Sequence, residues 1–95
     1  MAEMLARLKI DLGIMSSTAY DTRLTSLLQT AQKEIEREGA ELDIENSIDD
    51  QELVIDYARE LWLIRRETGS SVFPSRTLRW RINNRIFGKK TGGDS

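Results

Sequence analysis

DDQELVIDYARELWLIRRETG, residues 49–69, is the stretch whose reading decides the fold. Leu53, Val54, Tyr57, Ala58, Leu61 and Ile64 recur at three- and four-residue spacings, which lines them along one side of an α-helix. Acids open the stretch and Arg65 and Arg66 stand near its end, an order that complements the helix macrodipole. Ser47 followed by Asp50 has the spacing of an N-cap and the residue that answers it. The pair Asp49 and Asp50 is therefore read as a helix start, in preference to a general acid and base or a metal site. Ile55, Trp62 and Leu63 fall off the main stripe, so the second half of the helix is apolar nearly all round and needs cover on more than one side. A chain of 95 residues has one modest nucleus and little material for that.

Working back toward the N-terminus, Tyr20, Leu24, Leu27, Leu28, Ala31 and Ile35 fall within one side of a helical wheel, with TRLTSLLQTAQKEIEREG (22–39) ending at Gly39. Thr18 and Asp21 are the expected cap pair at its start. Before it, Met4, Leu5, Leu8 and Leu12 form a shorter stripe that Met15 continues. Gly13 suits a left-handed helix end that Ile14 folds back to close. AELDIENSI (40–48) has no stable period and reads as an acidic connector. Its acids lack the ligand alternation and loop glycine of a calcium loop.

Toward the C-terminus, GSSVFPS is loop-like, with Ser75 as the next cap. In RTLRWRINNRIF (76–87), Leu78, Ile82 and Ile86 share one helical face, and Arg76, Trp80, Asn83 and Phe87 share the roughly opposite one. An alternating strand with Leu78, Trp80 and Ile82 on one side is the competing reading. The expected fold is all-α: three longer helices and a short basic C-terminal helix in one domain over residues 1–88, followed by a flexible tail, 89–95. Its core is expected to contain Leu8, Leu24, Leu28, Ala31, Tyr57, Leu61 and Ile64.

Composition narrows the function. With no cysteine and no histidine, disulfides, the usual zinc sites and histidine base chemistry are excluded, and no phosphate-cradling glycine loop is present. The chain is not expected to be an enzyme or to carry a cofactor. No apolar run approaches the roughly 20 residues of a membrane span, and the start does not read as a signal peptide, so the expected setting is the cytoplasm without a membrane partner.

The net charge of −2 conceals a segregation. Residues 1–64 hold six Lys/Arg against fourteen Asp/Glu, a balance of −8, and residues 65–95 hold eight against two, a balance of +6. Such an end can face nucleic acid, or the acidic half of a neighbouring copy. Arg76, Arg79, Arg81, Arg85, Lys89 and Lys90 beside Trp80 and Phe87 have the look of phosphate contacts with interleaved aromatics. The same residue types are enriched where proteins meet proteins. About ten residues separate the second and third helices, too many for the tight turn of a helix-turn-helix.

Four pieces in order, LARLKIDLGI, YDTRLTSLLQTAQKEIEREG, DDQELVIDYARELWLIRRE and PSRTLRWRINNRI, resemble the small all-α head–tail connector (adaptor, or head-completion) proteins of tailed bacteriophages. The long acidic connector and the arginine-rich last helix depart from that pattern. The resemblance implies a structural virion protein, a homo-oligomer forming a dodecameric ring beneath the portal protein after DNA packaging. It would extend the DNA channel and seat a stopper or tail-completion protein, at the head–tail interface of the virion and, during assembly, in the bacterial host cytoplasm. On this reading Ile55, Trp62, Arg76, Arg79, Trp80, Asn83 and Phe87 meet a neighbouring subunit or the portal, since a ring supplies the cover one small core lacks. Arg81, Arg85, Lys89 and Lys90 are then the DNA-channel contacts, non-specific in character. The alternative is a small helical nucleic-acid-binding module that uses the basic C-terminal segment.

Overall fold

The computed structural model describes residues 2–66 and 75–90, with the side chains of 65, 66 and 88–90 left out. Four helices follow one another: α1 (Ala2–Leu12), α2 (Asp21–Arg37), α3 (Ile48–Arg66) and α4 (Arg76–Lys90). No strand occurs among the described residues. The segment 76–87 is helical because that period alone buries Leu78 and Ile82 while leaving Trp80 outside. α4 is not the short helix; its 15 residues exceed the 11 of α1. It runs through Lys90, past the expected domain end at 88, and residues 91–95 of the expected tail lie outside the described residues.

α3 is the organising element, packed against each of the other three helices and most extensively along α2. Leu24, Leu27, Leu28, Ala31 and Ile35 of α2 meet Leu53, Val54, Tyr57 and Ala58 of α3 in the core, which Met4, Leu8, Leu78 and Ile82 complete. Of the expected core residues, Leu61 and Ile64 are only half-buried. Met15 does not continue the α1 stripe; it lies beyond the helix end and is exposed.

The helix ends follow local chemistry. Gly13 has φ 73°, and the amides of Gly13 and Ile14 donate to the carbonyls of Ile10 and Lys9 at 3.1 and 3.0 Å. Those two bonds make a Schellman end, and Ile14 packs back on the core. Gly39, with φ 116°, ends α2. α3 has its expected cap, the Asp50 amide donating to Ser47 Oγ at 3.2 Å. α2 does not: Tyr20 occupies the N-cap without a side-chain bond, and the Asp21 carboxylate instead meets Lys9 Nζ at 2.9 Å. That carboxylate oxygen makes no hydrogen bond of regular geometry, so the ion pair is what satisfies it.

The apolar second side of α3 is covered from within the chain. Ile55 and Trp62 are 1% and 6% exposed. They share the side of α3 that carries Gln51, to which Arg7 of α1 donates at 3.0 Å, so α1 lies across that side. Tyr20 then closes on Trp62 edge to face, with ring centroids 5.3 Å apart. The expectation that these two residues need a neighbouring subunit is therefore corrected: α1 and Tyr20 supply the missing layer. Leu63, on the remaining side, stays exposed.

Candidate interaction surface on the last helix

α4 is fixed at its start by Ser75. The Leu78 amide donates to Ser75 Oγ at 3.2 Å, while the Ser75 amide and hydroxyl donate to the two Glu60 carboxylate oxygens at 2.8 and 2.6 Å. The cap is thereby tied to α3. Leu78 and Ile82 are buried and Ile86 is partly buried beside Gly39, whose missing side chain leaves room for it: a Cβ there would lie 3.8 Å from Ile86 Cγ2.

The arginines that border this buried stripe pair with acids of the same chain. Arg79 meets Glu38 on one side, and on the other Arg81 meets Asp56 and Arg85 meets Asp50. The last is the most enclosed. Arg85 Nε and Nη2 donate to the two Asp50 oxygens at 2.7 and 3.0 Å, and Asp50 is 2% exposed. Asp50 Oδ2 also accepts from the Asp43 amide at 2.8 Å, and Arg85 Nη2 donates to the Glu41 carbonyl at 2.6 Å. The hydrogen bond to Asp50 holds the Arg85 guanidinium still more firmly in its charged form. These bonds pin the acidic connector, which joins α2 to α3, against α3 and α4, and Ala40, Leu42 and Ile44 anchor it to the core.

Three of the α4 arginines thus pair in cis, with Glu38, Asp56 and Asp50. A guanidinium at the edge of a buried stripe is brought to the facing helix by the packing itself, so its nearest carboxylates belong to its own chain. Arg81 and Arg85, expected to line a DNA channel, are in this position, as is Arg79. Lys89 and Lys90 belong to α4, but their side chains lie outside the described residues.

The outer face of α4 is a different surface. Arg76, Trp80, Asn83 and Phe87 are all exposed, Trp80 by 65% and Phe87 by 60%. Arg76 makes no ion pair among the described residues. Beside Trp80, a shallow cleft of about 330 Å³ opens between α4 and the start of α3, bounded by Asp49, Leu53 and Asn84. Its other charged walls, Asp50, Arg81 and Arg85, are engaged in the pairs just described. Among the described residues no group of three or more carboxylates is placed to hold a metal ion, and no helix is long and apolar enough to cross a membrane.

Comparison with protein-family models, with curated proteins and with solved structures finds no match for this chain.

Proposed function

We propose that the chain is a structural subunit of a head–tail connector, assembling as a ring under a phage portal and docking through the outer face of α4. The observation that carries the reading is the division of α4. One face, Leu78 and Ile82, completes the chain's own core, and the other presents Trp80 and Phe87, exposed and outside the core formed by the described residues. Two large aromatics on one rigid helix face are the residue types and the setting of a protein-binding hot spot. The order of sequence pieces, which resembles that of small phage connectors, supports this kind of assembly. A nucleic-acid module is the weaker reading, because three α4 arginines that would meet phosphates already meet Glu38, Asp56 and Asp50.

The role proposed is mechanical: the subunit extends the channel, seals it and offers a platform to the stopper, with no bond made or broken. Contact with exiting DNA would be through charge alone and blind to sequence. The test is assembly of phage heads with Trp80→Ala in place of the native subunit. Heads that lose DNA or fail to acquire tails, from a subunit that is folded, are the expected result. Heads that mature normally with it would overturn the reading.

A further inference from the structure

Among the described residues, exposed large apolar side chains stand on two of the helices that pack on α3, besides Tyr20 and, on α3 itself, Ile48 and Leu63. One group is the Trp80 and Phe87 face of α4, flanked by Arg76, which makes no ion pair among the described residues. The other lies on α1 and the turn after it, where Ile10 and Met15 are 57% and 66% exposed. With Ala6 and Lys9 they line a groove of about 220 Å³. That is below the roughly 300–1,000 Å³ typical of small-molecule sites, and suits a single large side chain. Glu3, three residues before Ala6 and so on the same side of α1, is exposed and makes no ion pair among the described residues, whereas the ammonium of Lys9, which lines the groove, is held by Asp21.

We infer that these patches are the two halves of one head-to-tail contact between copies of this chain: Trp80 of one copy seats in the Ile10–Met15 groove of the next, and Arg76 meets Glu3. The inference rests on the ring-forming reading above and supplies the surface on which neighbouring subunits meet. A head-to-tail contact joins two different patches and leaves one of each free, so it closes into a ring or continues as a filament. A self-complementary contact of the α4 face with itself would set one Arg76-flanked surface against another and leave the groove empty. Charge therefore favours the groove as the occupant's seat.

Mixing two variants separates these arrangements. Trp80→Ala removes the inserted side chain and keeps the groove; Met15→Glu spoils the groove and keeps the inserted side chain. Both positions are exposed, and circular dichroism checks that each variant is folded. Ile10→Glu is the second groove variant if Met15→Glu disturbs the turn. By sedimentation velocity, alone and with portal rings present, the wild-type chain should associate and each variant alone should stay monomeric. An equimolar mixture should give a one-to-one pair that grows no further, since one intact interface remains. Arg76→Glu should weaken association, and adding Glu3→Arg should restore it. A wild-type chain that assembles while the mixture stays monomeric overturns the groove contact and leaves the connector reading standing. A wild-type chain that stays monomeric in both settings overturns the two together.

Discussion

Replacing Arg85 with methionine tests whether the basic helix is held by its own chain. Methionine keeps much of the apolar stem and removes both hydrogen bonds to Asp50, of 2.7 and 3.0 Å, together with the one to the Glu41 carbonyl. Asp50 is left 2% exposed, with the Ser47 cap and the Asp43 amide still in place but without the Arg85 guanidinium. Breaking a buried pair from one side costs about 3–5 kcal/mol. The Arg85 side chain is 27% exposed, so water can enter the vacated space, which places the cost near the lower end, about 3 kcal/mol. For a domain of this size, each kcal/mol lowers Tm by about 4–8 °C, so the midpoint should fall by about 12–24 °C. The assay is guanidinium and thermal unfolding of Arg85→Met, Asp50→Asn and the double variant. The double variant should recover a large part of the sum of the single losses, because neither charge is then left buried alone. An Arg85→Met cost under about 1 kcal/mol, or no recovery in the double variant, would refute the reasoning.

Other outcomes follow from burial and charge. Leu28→Ala and Ile82→Ala, both at 0% exposure, should each cost about 2–5 kcal/mol, with half-buried Leu61→Ala below them. Trp80→Ala should stay within about 0.5 kcal/mol of wild type in the same denaturant titrations; a cost like that of Ile82→Ala would make Trp80 a core residue. Burial first, and then the nearby carboxylates of Glu34 and Glu38, push the Tyr57 hydroxyl above its ordinary value of 10.0. The unfolded chain then loses this proton before the folded one does, so the contribution is fully present below pH 10 and is lost as pH climbs through the raised folded value. Tyr57→Phe should flatten that alkaline decline, seen in midpoints measured across it. Binding to duplex DNA should fall steeply with salt and show no sequence preference, and competition at physiological salt that found one sequence favoured a thousandfold would restore the nucleic-acid reading.

The periodic stripes made the four helices legible, because each buries one face against a neighbour and the spacing records that face. The two aromatic fates were not separable in the same way. Trp62 and Trp80 both sit off an apolar stripe, and which one is covered depends on where α1 and Tyr20 come to rest, a tertiary fact that no local pattern carries. The pairing of the arginines was half legible. Asp50 falls, by helical spacing, among Leu53, Val54 and Tyr57 on the buried side of α3, and a carboxylate there calls for a cation. Reading it only as a helix-start acid satisfied its amide and overlooked its two oxygens. The missing cap at Thr18 has a similar cause: Lys9, far from it in sequence, draws the Asp21 carboxylate away from the arrangement that local spacing favours.

The most direct measurement of the central claim is the native mass of the wild-type chain and of Trp80→Ala, each alone and mixed with the cognate portal protein. The account predicts a ring of wild-type subunits, joined to the portal when it is present, and folded monomers of Trp80→Ala in both conditions. A wild-type chain that remains a monomer beside the portal, or a Trp80→Ala chain that assembles as wild type does, would contradict it.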